Sequence, residues 1–401
     1  MRMANSDTLP QKIDVTVIGG AGHVGLPLAL TFAEEGYCTL IYDINPKTLE
    51  TISRGEMPHM EHGGEHLLQS VLKSDNLHMT SDPEHLPDNG IIVITIGTPV
   101  DEFHNPVHKA IKECADQLLP RLGDGQLIIL RSTVYPGTTE WLTRYLASKG
   151  KNIKVAFCPE RVVQGQAIKE LREIPQIISG TSKEAVSEAE ALFKTIAQHI
   201  VHMEPMEAEF AKLFCNAVRY IQFAATNEFY MIADAAGLDY NRIYEGMTQH
   251  YPRAQQHARA GFAAGPCLFK DTAQLAAFAK NNFTLGNAAI LVNEGLVLHV
   301  IEKMQQEYEL HNLTVGLLGM AFKAEIDDIR SSLSYKMKKI LALHANAVLT
   351  TDPYVTQDSE LLPLETVLQQ SDILVMCTPH KEYHNLDTGG KPVIDVWGLQ
   401  S

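Results

Sequence analysis

Residues Gly261 to Thr272 read GFAAGPCLFKDT and set Cys267 among glycines, with Lys270 and Asp271 close behind it. Glycine lets backbone approach a bound molecule closely, a nearby ammonium favours thiolate over thiol, and a carboxylate just beyond can take a proton or orient a water. Those are the parts of a nucleophilic thiol. The same residue types also suit an ordinary turn and helix start, and most free cysteines are small buried hydrophobes. The segment therefore needs support from the rest of the chain.

The first strand-like run, IDVTVIG, leads into Gly20-Ala21-Gly22-His23-Val24-Gly25 and then into the apolar helix-like run LPLALTFAEEG. Strand, G-x-G-x-x-G and helix stand in the order that a dinucleotide pyrophosphate needs. The turn uses glycine dihedrals, the backbone comes within contact of phosphate, and the N–H groups of the helix face its charge. The next strand-like run, CTLIYD, ends at Asp43, where a carboxylate would bond a ribose 2′-hydroxyl and favour NAD over NADP. A competing pattern is Tyr145-Leu-Ala-Ser-Lys149 with Ser132 upstream, the serine, tyrosine and lysine of short-chain reductases and epimerases. It fits an ordinary amphipathic helix equally well and leaves everything from Pro205 onward without a purpose.

Residues so far apart must be positioned by more than one domain. The chain has 401 residues, 45% of them hydrophobic and 20% charged, too many for a single core. Its net charge of −15 argues against nucleic acid, although local basic residues and helix N-termini can still bind phosphate. The opening MRMANSDTLPQK has no apolar targeting core and no apolar run approaches bilayer length, so the expectation is a cytoplasmic protein without a membrane partner. Cys38, Cys114, Cys158, Cys215, Cys267 and Cys377 are scattered without a CxxC pair, and the clustered His59, His62 and His66 read as a solvated surface. Neither a disulfide nor a metal is expected.

From Ile13 to about Met203, strand-like and helix-like runs alternate through IIVITIG, QLIILRST, IKVAFCP, QIISG and HIVHM, the pattern of a parallel, doubly wound α/β sheet. After Pro205 the character changes: Phe210, Leu213, Phe214, Ala217 and Ile221 fall at helical spacing, and helical sequence continues to about His311. Strand-like runs return as LTVGLLG, NAVLTTDP, DILVMCTP and KPVIDVW. The expected plan is a Rossmann-type NAD-binding domain over residues 1–204, a helical connector over 205–311 and a smaller Rossmann-like α/β domain over 312–401.

With Cys267, the glycine fingerprint and Asp43 in hand, the chain resembles the nucleotide-sugar 6-dehydrogenases, which include UDP-glucose and UDP-N-acetylhexosamine dehydrogenases. The likeness runs in order through VIGGAGHVGLPLA, STVYPGT, CPERV, AEFAKLFCN, TNEF, GFAAGPCLFKDT and GMAFKAEIDDIRSS. It implies Cys267 as the nucleophile, with Lys212, Asn216 and Asp271 beside it, and Thr133 and Glu160 as residues that hold and activate a water or hydroxyl. It puts Gly20, Gly22, His23, Val24, Gly25, Asp43, Thr98, Thr133 and Arg330 on NAD. It puts Glu160, Arg161, Lys212, Asn216, Arg253, Gly261 and Lys323 on a UDP-sugar, with Arg253 reaching it from the partner subunit of a homodimer. The central segment is then the dimerising one and the C-terminal domain binds the UDP-sugar.

Oxidising a C6 alcohol to a carboxylate removes four electrons, and one nicotinamide accepts two. A thiolate that traps the intermediate aldehyde as a thiohemiacetal keeps the carbon in place for a second NAD, and the resulting thioester is hydrolysed. Lys212 can stabilise the developing oxyanion and Asn216 can donate a further bond. Their four-residue spacing, with Glu209 a turn earlier, puts them on one polar helix face opposite Phe210 and Phe214, a face that is ordinarily solvated. Some features depart from the family. The turn reads GGAGHVG where members more usually show GLGYVG, one residue fewer. CPERV resembles the enzymes for N-acetylated sugars, CLFKDT resembles the UDP-glucose enzymes, and Gln164 replaces a carboxylate common in the latter. SSLS follows Arg330 where an acidic residue and a proline are common, and Arg330 could equally pair with Asp327 or Asp328. Two other readings stand beside this one: a reductase or epimerase using Ser132, Tyr145 and Lys149, and an NAD- or nucleotide-sensing protein without turnover.

Overall fold

The computed structural model describes residues 10, 12–98, 109–254 and 257–400, so most of the opening stretch read for a targeting segment lies outside the described residues. The chain divides into two compact units, Met1–Phe214 and Cys215–Ser401. The helical stretch after Pro205 gives its first residues to one unit and the remainder, with the C-terminal α/β segment, to the other.

In the first unit, eight strands form one sheet: β1 Val15–Ile18, β2 Thr39–Tyr42, β3 Leu77–Thr80, β4 Ile91–Ile94, β5 Leu127–Leu130, β6 Lys154–Phe157, β7 Gln176–Gly180 and β8 Ile200–His202. Their order is β3-β2-β1-β4-β5-β6-β7-β8. Val15, Val17, Ile41, Val93 and Ile129 face one core, with Leu26, Leu30 and Phe32 of the helix Gly25–Glu34. Leu40, Ile92, Ile94, Ile128 and Leu130 face the opposite core, with Ile111, Leu118, Leu142 and Leu146 of the helices Lys109–Leu118 and Thr138–Ser148. Burial on both faces is why these strands read as unbroken apolar runs, and the doubly wound expectation is borne out.

Two details differ from that expectation. The sheet includes β3, whose sequence LHMT is too short and too mixed to stand out. It is also not wholly parallel, since β7 runs antiparallel to β6 through Ala156 opposite Gly180 and Phe157 opposite Ser179. A parallel neighbour needs a crossover, whereas the chain between β6 and β7 makes only the short helix Ala167–Glu173 and returns along the edge. Strands β1, β4, β5 and β6 are parallel to one another, so the glycine turn, Thr98, Thr133 and Glu160 all follow strand ends at one edge of the sheet. The order reverses between β1 and β4, the place where open α/β sheets bind ligands.

The second unit holds a four-stranded parallel sheet in the order β10-β9-β11-β12, built from β9 Thr314–Leu318, β10 Ala347–Thr351, β11 Ile373–Met376 and β12 Val393–Ile394. The helix Thr284–Glu307 lays Leu296, Val297, Val300, Ile301 and Met304 into a core with Val315, Leu317, Ile373 and Val375. By length and composition alone this helix could cross a membrane, which corrects the expectation that no apolar run approaches bilayer length. Its fully buried Asn293 donates to the Tyr220 carbonyl at 3.0 Å and accepts from Asn227 Nδ2 at 2.9 Å, and Asn227 Oδ1 in turn accepts from the Gly261 N–H at 2.9 Å. One run of bonds thus ties the long helix Pro205–Ala235, the apolar helix and the glycine loop before Cys267.

Candidate functional site

The glycine turn is fixed by close approach. Gly19, at φ +76°, donates from its N–H to the Tyr42 carbonyl at 2.9 Å, and Gly22 N–H donates to the Gly19 carbonyl at 3.2 Å. A Cβ on Gly25 would lie 2.5 Å from the Gly19 oxygen and 2.7 Å from Thr95 Oγ1, so the helix can meet the strand here only with glycine. A Cβ on Gly22 would meet only the Gly19 oxygen, at an ordinary contact distance of 3.5 Å, so the fold itself does not require glycine there. Val24, the N-cap, makes no side-chain cap and the first helical turn holds no acid, which leaves N–H groups for a ligand. Asp43 Oδ2 accepts from the Ala21 N–H at 3.1 Å and Oδ1 from Asn45 N–H at 3.0 Å, so the carboxylate expected on the ribose also braces the turn. His23 lies 3.1 Å from Gln164 through Nδ1 and 4.1 Å, centroid to centroid, from the ring of His59. These residues fit a dinucleotide.

Further along the same edge, Thr98 Oγ1 donates to the Thr133 carbonyl at 2.5 Å. Glu160, after β6, is 8% exposed. Its Oε2 accepts from Arg131 Nη2 at 2.5 Å, and its Oε1 accepts from the N–H groups of Arg161 and Val162 at 2.7 and 2.8 Å. Removing one partner of such a buried pair typically costs about 3–5 kcal/mol. Arg161 turns its guanidinium to the Pro175 carbonyl.

On the long helix, Glu209 is 1% exposed, Lys212 9% and Asn216 8%, while Phe214 is 54% and Val218 53% exposed. The polar residues share the buried side with Leu213 and Ala217, while Phe214 and Val218 point outward, so the apolar stripe read from the sequence is split between the two sides. Glu209 is committed to the fold. Its Oε1 accepts from Thr139 N–H at 2.9 Å and Thr139 Oγ1 at 2.6 Å, and its Oε2 accepts from Gly137 N–H at 2.5 Å. It caps the helix Thr138–Ser148 in place of a local side chain. Burial pushes the Glu209 carboxyl up, against the opposing pull of those donors.

In the second unit, Cys267 is exposed and is the N-cap of the helix Leu268–Phe278. Asp271, in the first turn, is fully buried; its Oδ2 accepts from Asn216 Nδ2 at 2.5 Å, and Lys270 Nζ lies 3.5 Å from its Oδ1. At its two glycines the loop ahead of Cys267 has no room for a side chain. A Cβ on Gly261 would lie 2.2 Å from the Trp397 indole, and one on Gly265 2.6 Å from the Phe322 ring. Gly265 N–H also donates to the Ser331 carbonyl at 3.4 Å, which brings the GMAFKAEIDDIRSS stretch against the cysteine loop. Arg330 pairs with Asp328, with Nη2 to Oδ2 at 2.6 Å. That bond pushes the Arg330 guanidinium up, against the opposing effect of burial. Lys323 is half-buried on the same stretch, and Arg253 is exposed in the short turn Pro252–Ala254.

The turn after β9 repeats the design of the first. Gly319, at φ +95°, donates to the Thr351 carbonyl at 2.9 Å, and Asp352 Oδ2 accepts from Met320 N–H at 2.6 Å and Ala321 N–H at 2.9 Å. Here the acid is enclosed. His380, fully buried, meets Asp352 Oδ2 through Nε2 at 3.2 Å and accepts from Glu325 N–H through Nδ1 at 3.1 Å. Burial works to raise Asp352, but the bond from His380 and the N–H donors of Ala321 and Tyr354 outweigh it and hold the carboxyl below the ordinary range.

The structure thus brings Asn216 to Asp271 and Thr98 to Thr133, each pair within one unit. The Ser132, Tyr145 and Lys149 pattern is spent otherwise. Tyr145 stacks on Trp141 at 5.2 Å and bonds Asp116, while Ser132 Oγ donates to the Ile96 carbonyl at 2.6 Å. Arg131, Asn227, Asn293, Asp352 and His380 do not emerge from the sequence. Asn227 carries a hint, since it lies in the TNEF stretch.

The chain matches the UDP-glucose/GDP-mannose dehydrogenase family in order: its NAD binding domain over residues 13–197, its central domain over 206–295 and its UDP binding domain over 316–399. The UDP-N-acetyl-D-mannosamine dehydrogenase of Pyrococcus horikoshii is 32% identical over 388 residues, covering 92% of this chain and 90% of its own. A solved structure of UDP-D-ManNAc dehydrogenase from the same organism is similar with a TM-score of 0.90 at 29% identity, covering 97% of this chain and 96% of that one. A UDP-glucose dehydrogenase from Pyrobaculum islandicum gives 0.89 at 25% identity, covering 98% and 96%. The short-chain reading does not survive this match, and the fingerprint turn lies inside the matched NAD binding domain. With all three parts present in sequence order, the chain belongs to the UDP-glucose/GDP-mannose dehydrogenase family and is an NAD-dependent nucleotide-sugar dehydrogenase.

Proposed function

We propose that the protein oxidises the C6 hydroxyl of a UDP-N-acetylhexosamine to the carboxylate, using two NAD per sugar and Cys267 as the covalent anchor. The observation that carries this reading is Cys267 itself, an exposed thiol at the head of a helix whose first turn holds the buried Asp271–Asn216 pair. NAD, when bound, supplies the two-electron acceptor for each oxidation. The chain's own residues do the rest. The Cys267 thiolate adds to the aldehyde carbon to give a thiohemiacetal, whose oxidation leaves a thioester; water then adds, the carbon–sulfur bond breaks, and carboxylate and thiol are released. Lys212 and Asn216, on one buried helix face, are assigned to the oxyanion, and Thr133 and Glu160 to holding the water or hydroxyl. On the cofactor side stand the turn Gly20 to Gly25, Asp43 and Thr98; on the sugar side stand Arg161, Gly261 and Lys323, with Arg253 contributed across a dimer.

The division 1–204, 205–311 and 312–401 is adopted as NAD-binding, dimerising and UDP-sugar-binding. The outward apolar face of the long helix supports a homodimer, and a monomer by light scattering at working concentration would contradict that. CPERV and the N-acetylmannosamine relatives favour an N-acetylated sugar, while CLFKDT favours UDP-glucose as the second reading. The deciding experiment counts NADH formed per sugar in separate reactions with UDP-N-acetylmannosamine, UDP-N-acetylglucosamine and UDP-glucose. Two per sugar with one substrate supports the route and names the sugar. One per sugar removes the reason for the thiol.

A further inference from the structure

Arg131 follows β5 and immediately precedes Ser132 and Thr133, yet its side chain turns inward and is 1% exposed. The guanidinium donates to Glu160 Oε2 at 2.5 Å, to the Cys158 carbonyl at 3.0 Å and to Gln176 Oε1 at 2.6 Å, and it lies 4.9 Å from the centroid of the Phe193 ring. The backbone joins the same two residues, since Glu160 N–H donates to the Arg131 carbonyl at 3.1 Å. Only a planar fork reaches a carboxylate, a carbonyl and an amide oxygen together; an ammonium offers a point charge. Glu160 is therefore gripped at both oxygens, by Arg131 on one and by the N–H groups of Arg161 and Val162 on the other.

We propose that Arg131 is a positioning residue for the dehydrogenase: it locks Glu160 in one orientation at the sheet edge, so that its carboxylate is presented in a fixed place. The inference rests on the proposed function in taking Glu160 as a substrate-side residue.

Arg131→Met strands a buried carboxylate and endangers the fold, so the test is a cycle of Arg131→Lys, Glu160→Gln and the double variant. Folding of each is checked by its melting curve and by NAD binding. Arg131→Lys is expected to lower kcat about tenfold and Glu160→Gln about a hundredfold, with the double variant no slower than Glu160→Gln. KM for NAD stays at the wild-type value throughout, so the loss is confined to kcat, which a general loosening of the fold would not produce. Losses that multiply in the double variant, wild-type kcat in either single variant, or a raised KM for NAD in Arg131→Lys would overturn the proposal. A wild type forming one NADH per sugar sinks the four-electron reading instead, and the cycle still decides the role of Arg131 on that turnover.

Discussion

Asn216 Nδ2 donates to Asp271 Oδ2 at 2.5 Å, a buried link between the long helix and the helix that Cys267 begins. Among the described residues that oxygen has this one side-chain donor, and Lys270 at 3.5 Å is the cation beside the carboxylate. Asn216→Ala leaves a buried carboxylate short of a donor, and should cost about 1–3 kcal/mol in urea unfolding. The same variant should lose at least tenfold in kcat, because the carboxylate behind the thiol is no longer held. An unchanged melt would mean that the pair is decorative.

The thiols separate into classes. Burial pushes Cys114, Cys158 and Cys377 up to about 12, while Cys267 and Cys215 are exposed. Iodoacetamide near neutral pH should therefore modify Cys267 first and Cys215 second, and reach the three buried thiols only on unfolding. NAD with the nucleotide sugar should protect Cys267 alone, as read by peptide mass mapping. Cys215 reacting ahead of Cys267 would count heavily against a catalytic thiol.

Gly22 and Gly25 should separate cofactor binding from folding. Gly25→Ala forces a Cβ to within 2.5 Å of the Gly19 oxygen and should destabilise the protein by about 1–3 kcal/mol as well as weaken NAD binding. Gly22→Ala has room in the folded chain but intrudes on the space above the turn. It should leave the melting temperature unchanged and raise KM for NAD at least tenfold. Equal melting temperatures for the two variants would refute the packing account.

Asp352 makes a prediction with a defined sign. Its folded carboxyl lies below the ordinary range, so the stability it contributes is present above the unfolded value, near 4, and is lost as pH falls through the folded value. Asp352→Asn should be less stable than wild type at neutral pH by about 2–4 kcal/mol, and the gap should close as the pH drops well below 4. A gap that persists in acid would point to shape rather than charge.

Much of this arrangement is legible in the chain because it is local. The glycine turn, the cysteine loop and the acid at the end of β2 each declare themselves within a few residues, and ordered stretches fix the family. What is not legible depends on distant partners. Arg131 and Gln176 are far apart in sequence, and an arginine in LRST reads as the end of a strand until Glu160 and Phe193 are beside it. The direction of β7 leaves no trace in its apolar period. Spacing puts the polar face of the long helix opposite its phenylalanines, as found, but says nothing of which face looks inward.

The two glycine turns show how one architecture is put to two uses. At the first, Asp43 keeps part of its surface free and can greet an incoming nucleotide. At the second, His380 occupies Asp352 from within, a resident surrogate for a guest. A turn supplied with its own guest needs no visitor to hold its shape. On the proposed route, which exchanges one cofactor for another while the sugar stays in place, that is where constancy is most useful.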